Sequence, residues 1–331
     1  MKRRHFLAAS GSLLVARSTS AQQPGRVYRV GFMVQAAGGF LRDALLAALR
    51  DQGWIAGRNL QLETRLSAGP GDIDALAKEL VAARCDVIVV AGTHMALAAS
   101  RATATIPIVM YLSGWPVEGG LVASYARPGG NITGLSTYGG SEKIWTKFMS
   151  LTVELIPSLR EIGLIWDYVA PLFLQKEVEY GVGELTRAAE LLKVRSRTWA
   201  IHKQGDLEDA LKALAAAPMQ ALFATSGPFI SQPQNWPRIS EIAMRRRVPI
   251  VCDIAGSTFR NMGLLAYSVN WNDAAKRCAS FVDRILRGAK PGELPIEQPT
   301  NFELILHAGR AKAIGLAIPP AMLIRADRVI E

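Results

Sequence analysis

From about residue 27 onward, short apolar, β-branched runs alternate with longer stretches whose apolar positions recur at helical spacing. The runs at 27–34, 60–64, 86–91, 106–110, 132–135, 161–166, 195–201, 221–225, 248–252 and 264–269 predict strands. Helices are predicted between them, among others at 40–52, 73–83, 142–156, 207–216 and 273–287. Runs such as Val87-Ile88-Val89-Val90 are apolar at successive positions, so both faces of the strand must be covered. The expectation is an α/β protein of mostly parallel sheets with helices on both faces.

Within this alternation lies a faint internal echo. Asp86 to Thr93, a helix, then Ile106-Pro107-Ile108-Val109 resembles Ala221 to Gly227, a helix, then Val248-Pro249-Ile250-Val251. Each copy is a strand ending in a turn of Gly and hydroxyl residues, a helix, and a strand opened by Pro. The 331 residues also exceed what one hydrophobic core usually fills. Two similar doubly wound lobes follow, expected at 27–132 plus 267–297 and at 133–266 plus 298–331.

The N-terminus reads as an address rather than as part of either lobe. Lys2, Arg3 and Arg4 precede a short apolar stretch, and Thr19-Ser20-Ala21 offers small residues for cleavage before Gln22. Arg3-Arg4-His5-Phe6-Leu7 fits a twin-arginine core, so 1–21 is expected to be a twin-arginine-like signal peptide and the mature chain to be periplasmic. Losing the four basic residues Lys2, Arg3, Arg4 and Arg17 would take the formal charge from +10 to +6. Arg245-Arg246-Arg247 is a compact basic run at a helix end, where cations suit the helix dipole, and it suggests no nucleic-acid partner. Cys85, Cys252 and Cys278 are too scattered for a disulfide framework and are expected to be buried free thiols.

Catalytic signatures are missing. There is no phosphate-binding loop, no dinucleotide fingerprint after the first strand and no nucleophile elbow. His94, His202 and His307 stand at no metal-ligand spacing, so neither a metal nor a cofactor is expected, and the chain is not expected to be an enzyme. In an open parallel sheet, ligands bind beyond the carboxyl ends of the strands, where helix N-termini offer free N–H groups. Candidate ligand-binding residues are therefore Gln35, Thr93, His94, Ser113 and Trp115 in the first lobe. Asp167, Ser226, Asp253 and Tyr267 are their counterparts in the second lobe and the hinge. The hydroxyls suit a ligand carboxylate; the two aspartates suit a ligand ammonium or cap the next turn. Trp115 and Trp166 offer flat apolar walls or fill the core.

The segment Ser124-Tyr125-Ala126-Arg127-Pro128-Gly129-Gly130-Asn131-Ile132-Thr133-Gly134-Leu135-Ser136 resembles the signature of an ABC-transporter substrate-binding family of the type I periplasmic-binding fold. The resemblance continues through Val282 to Pro291, Pro295 to Leu304 and Ala311 to Pro320, and so spans nearly the whole mature chain. It implies a monomeric clamp with hinge strands near 131–136, 263–268 and 298–304, closing on a small molecule and delivering it to an inner-membrane permease. Some members of the family resemble aromatic amino-acid carriers. Trp115 stands where an Asp often follows Gly in that family, a departure in the region that should set specificity. A periplasmic sensor sharing the clamp, or a two-lobed α/β enzyme, would have a similar strand pattern.

Overall fold

The computed structural model describes residues 25–331 except 70, 139–142, 168–174, 226–228, 231 and 254–256. The expected signal peptide at 1–21 and the candidate Ser226 lie outside the described residues.

The first half of the chain runs β1 (Tyr28–Gln35), α1 (Phe40–Asp51), β2 (Leu60–Ser67), α2 (Ile73–Ala82), β3 (Val87–Ala91), α3 (Thr93–Ala102), β4 (Ile108–Gly114) and β5 (Ile132–Tyr138). These strands form one parallel sheet in the order β2-β1-β3-β4-β5. The chain continues with α4 (Lys143–Leu155), β6 (Glu161–Asp167), α5 (Gln175–Leu191), β7 (Arg195–Ile201), α6 (Gln204–Ala216), β8 (Ala221–Ala224), α7 (Trp236–Arg245), β9 (Ile250–Cys252), α8 (Ser257–Met262) and β10 (Leu265–Val269). The last elements are α9 (Trp271–Leu286), β11 (Phe302–His307), α10 (Ala308–Ile314), α11 (Pro320–Arg325) and β12 (Arg328–Ile330). The second sheet has the order β12-β11-β10-β9-β8-β6-β7.

Read from β7, the second sheet runs β7-β6-β8-β9-β10, the same winding as β2-β1-β3-β4-β5. The sequence echo falls on equivalent positions, β3-α3-β4 in one lobe and β8-α7-β9 in the other. As the apolar runs require, β3 is buried at every residue, and so are β6 and β8.

The handover points differ from those expected. β5 pairs with β4 from Ile132 to Tyr138 and so belongs to the first sheet, which moves the first crossing beyond Tyr138. The turn at Pro128, Gly129 and Gly130 is present, with φ of +70° and +61° at the two glycines, but it feeds an edge strand of the first lobe rather than a hinge. β10 stays in the second sheet through Val269, so the second crossing is at Asn270 rather than within 263–268. The third expected crossing, at 298–304, contains the return: Glu297 still bridges Leu135 of β5, while β11 from Phe302 runs antiparallel to β10. Asn270 and Asn301 meet at these crossings, the Asn270 N–H donating to the Asn301 carbonyl at 3.0 Å.

α9 explains why the chain returns to the first lobe. Its buried residues Ala274, Cys278, Phe281, Val282 and Ile285 recur at helical spacing and pack on α1, β4 and β5. Each large side chain buried there stabilises the lobe by about 1.5–3 kcal/mol. Asp283 on the same helix accepts a 2.9 Å hydrogen bond from the Trp54 indole, which is itself buried. Among the described residues, no helix is long and apolar enough to cross a membrane.

Candidate ligand-binding cleft

The carboxyl ends of the two sheets lie close together: Trp115, just after β4, is in one cluster with Trp166 near the end of β6, and Phe229, after β8, packs on the first lobe's cluster. On the first lobe, Gly92 ends β3 with φ of +95°, a conformation that L side chains rarely adopt. A Cβ at Gly92 would lie 3.2 Å from the His94 ring, so the glycine also leaves room for the imidazole to fold back. His94 is buried, and loss of hydration pushes its pKa down to about 4, so the ring is neutral at pH 7. Its Nε2 stands 3.3 Å from Nε2 of Gln35, the last residue of β1.

Thr93 is occupied differently than expected for a ligand contact. The Gly114 N–H donates to its Oγ1 at 2.8 Å, and the hydroxyl reaches the Gly114 carbonyl at 3.3 Å. This tie locks the start of α3 to the end of β4. There β4 departs from regular pairing, with register shifts around Ser113 and positive φ at Leu112 (63°) and Trp115 (38°). Ser113 is wholly buried, and its Oγ has no hydrogen-bond partner among the described residues.

On the second lobe, Asp167 ends β6 and is 1% exposed. Its Oδ2 accepts from the Phe229 and Ile230 N–H groups at 2.8 and 3.2 Å, while Oδ1 is buried with no partner among the described residues. Desolvation pushes this carboxyl up to about 7; the two N–H groups pull the other way. Oδ2 thus holds the turn at Phe229 and Ile230, the capping role expected of an aspartate at this position. Asp253 follows β9 and is buried, and its charge adds to the desolvation that pushes the neighbouring Cys252 thiol up. Tyr267 lies on β10 beside the hinge, where it stacks on Phe302 at 5.4 Å between centroids, and burial raises its pKa.

Trp115 leaves its own lobe. It is 5% exposed and belongs to the apolar cluster of the second lobe, stacked on Trp145 of α4 with the ring planes 9° apart. Trp145 in turn touches Trp166, Phe148 and Phe223. Trp166 is therefore part of an aromatic cluster in the second lobe. Phe229 makes the opposite crossing: it follows β8 and packs against the cluster under β3 and β4 of the first lobe as well as its own. A third crossing sets the Arg260 guanidinium of α8 over the Phe40 ring of α1 at 4.9 Å. Trp145, Phe229 and Arg260 were not singled out in the sequence, because each lies within an ordinary helical or loop pattern.

His202 is exposed and His307 caps α10 by accepting from the Arg310 N–H at 3.4 Å. All three cysteines are free and buried. Among the described residues, no group of three His, Cys, Asp or Glu side chains is placed to hold a metal ion.

Two lobes of equal winding, crossed by hinge segments and facing each other with buried polar groups at their strand ends, define a ligand-binding clamp of the periplasmic-binding type. The chain matches the model of the ABC transporter substrate binding protein family over residues 35–330 and belongs to that family. It is 25% identical over 277 residues to a tyrosine-binding protein of Clostridioides difficile (strain R20291), covering 83% of this chain and 76% of that one. Among solved structures it resembles a conserved domain protein from Vibrio cholerae, with a TM-score of 0.81 at 23% identity over 92% of this chain and all of that one. It also resembles an ABC domain from Streptococcus pneumoniae in complex with L-Trp, with a TM-score of 0.81 at 19% identity and the same coverage. The protein is a solute-binding component of an ABC transport system, in a family of substrate-binding proteins.

Proposed function

We propose that this protein is exported to the periplasm, closes on a small solute bearing an amine, of the amino-acid type, and presents it to an inner-membrane permease. The observation that carries the reading is the half-paired carboxylate of Asp167, buried at a strand end with Oδ1 unmatched among the described residues. A buried carboxylate without full pairing is costly, and a donated N⁺–H from a ligand ammonium is the charge-assisted partner that offsets the cost. The buried Ser113 Oγ, on the facing lobe, supports a second polar contact. Closure follows from the ligand contacting both lobes at once, so that it binds the shut form more tightly than the open one. The names of the relatives, one tyrosine-binding and one bound to L-Trp, make those two amino acids the first to try.

The test is calorimetry and thermal melting of the chain from Gln22 with the twenty amino acids and with their deaminated analogues. An amine ligand at a hundred times its Kd is expected to stabilise the protein by about 2.7 kcal/mol. That raises Tm by roughly 2–4 °C or more for a chain this size. Asp167→Asn should abolish the preference for the amine over its deaminated analogue. A folded protein that binds no amine, or that binds deaminated acids equally well, overturns the proposal.

A further inference from the structure

The two lobes exchange aromatic side chains. Trp115, at the end of a first-lobe strand, is buried in the second lobe's cluster, and Phe229, from the second lobe, packs on the first lobe's cluster. Trp115 is fitted closely on two sides. One face lies on the Trp145 indole, with centroids 6.5 Å apart. The edge meets α5 where the helix carries Gly181: a Cβ there would fall 2.4 Å from Cη2 of Trp115 and 3.0 Å from Cζ3. α5 carries two glycines, each unfavourable in a helix relative to alanine; Gly183 has open space around it, whereas Gly181 lies against the indole, which leaves no room there for a Cβ. Positive φ at Leu112 and Trp115 bends the chain out of β4, and the Thr93–Gly114 hydrogen bonds hold that bend.

We infer that Trp115 is the positioning residue for closure: it docks between α4 and α5 at the Gly181 notch and fixes how the lobes meet around the solute. The indole is a tethered occupant of the second lobe, so part of the free energy that favours the closed form comes from the protein's own ring and not from the solute. Burial of an aromatic side chain is among the larger single contributions to any interface, and stacked or edge-on ring pairs add to it. Phe229 makes the reciprocal contact, packing on the first lobe's cluster, and its backbone N–H is held by Asp167, which links the clasp to the carboxylate proposed to meet the amine. The inference rests on the solute-binding reading only for the purpose that closure serves; the docking itself is tested with no solute added.

The experiment is small-angle scattering and thermal melting of the chain from Gln22, without added solute, for the wild type, Trp115→Ala, Trp115→Phe, Gly181→Ala and the Trp115→Ala/Gly181→Ala pair. A compact chain of this size has a radius of gyration of about 20 Å. Trp115→Ala is expected to raise it by on the order of 1 Å as the lobes part, with Trp115→Phe in between. Gly181→Ala should expand the wild type in the same way, because its new methyl group evicts the indole. In the Trp115→Ala background the same substitution should leave the radius unchanged and raise Tm, since only the gain in helix propensity remains. That reversal of sign distinguishes a docking notch from a merely structural glycine. Equal radii for the wild type, Trp115→Ala and Gly181→Ala overturn the inference. So does a Gly181→Ala effect that is the same with and without Trp115. Should Trp115→Ala fail to fold, Trp115→Phe and Gly181→Ala decide the matter. A solute screen without hits alongside the expected scattering changes defeats the amine reading alone, and unchanged scattering with clear amine binding defeats the clasp alone.

Discussion

Gly134 of β5 passes so close to Met110 of β4 that a Cβ on the glycine would lie 2.4 Å from the Met110 carbonyl oxygen and 2.5 Å from its nitrogen. Both contacts are with backbone, which cannot swing aside, and φ at Gly134 is +125°. Gly134→Ala is therefore expected to cost at least about 3 kcal/mol, combining a forbidden backbone region with overpacking. Gly120, also at positive φ (+72°) but with open space around it, is the control: its alanine variant should lose only about 1 kcal/mol. Denaturant melts of the two variants check this, and equal losses would mean that the close approach to Met110 is unimportant.

Asp167 and His94 should make opposite contributions to the pH dependence of stability. The Asp167 carboxyl is held up at about 7 against an ordinary 3.8, so between those values the folded chain binds a proton that the unfolded chain has lost. Its contribution is present at acid pH and is lost as pH rises from about 4 to about 7. His94 is held down at about 4 against 6.5, so there the unfolded chain binds the extra proton and stability is lost as pH falls from about 6.5 to about 4. The wild type should then look flat across the overlap. Asp167→Asn, whose amide oxygen can still accept from Phe229 and Ile230, should reveal a protein that weakens toward acid. His94→Gln should reveal one that weakens toward neutrality. Urea midpoints at pH 4.5, 5.5 and 7 give the slopes, and parallel slopes for the two variants would refute the assignment.

The three thiols should be inert in the folded protein. Burial pushes Cys85 up to about 11, with Glu63 adding to the effect, and burial also raises Cys252 and Cys278. The thiolate is the nucleophile, so none should react with a thiol reagent at pH 8 within minutes, whereas all three should react in denaturant. A Cys85 that reacts first and fast in native buffer would show that the edge of the first lobe between α2 and β3 opens readily.

Much of this architecture is legible in the sequence because it is written in local periodicity. The run at 195–201 coincides with β7, and 40–52 and 273–287 differ from α1 and α9 by a residue or two at their ends. The echo between Asp86–Thr93 and Ala221–Gly227 reflects a shared winding, and strand ends pointed to Gln35, Ser113 and Asp167. What sequence periodicity cannot carry is where a side chain goes after leaving its strand. Trp115 reads equally well as a cleft wall or a core filler, and its docking on Trp145 depends on the angle between lobes. Thr93 looked free for a ligand because its partner, the Gly114 backbone, belongs to a bulge that the apolar pattern does not mark. The crossing points shifted for the same reason. Ile132 to Tyr138 is apolar enough for either sheet, and only its pairing with β4 assigns it. β11 is expected only as a crossing strand at 298–304 within the second lobe, because Glu303 and His307 dilute the apolar pattern that would mark it as a full strand of that sheet.

Arg310 carries the last prediction, because it joins packing in the second lobe to contact with the first. From α10 its guanidinium donates to three carbonyls around α8: Phe259 at 2.9 Å, Gly263 at 2.5 Å and Arg260 at 2.6 Å. A helix of that length leaves most of its C-terminal carbonyls without intrahelical donors, and a fixed fork of N–H groups satisfies several at once. α8 in turn presents Arg260 to Phe40 of the other lobe. Arg310→Met keeps the aliphatic stem but strands those carbonyls, and should cost roughly 2–3 kcal/mol. Arg310→Lys should recover only part, since an ammonium cannot span three acceptors in fork geometry. Amide exchange separates the two consequences. Protection should fall first around Phe259–Gly263 and, by loss of the Arg260 contact, at the start of α1. If α8 loosens while α1 keeps full protection, the Arg260–Phe40 contact contributes nothing to holding the lobes together, and the work falls to the packing of Trp115 and Phe229.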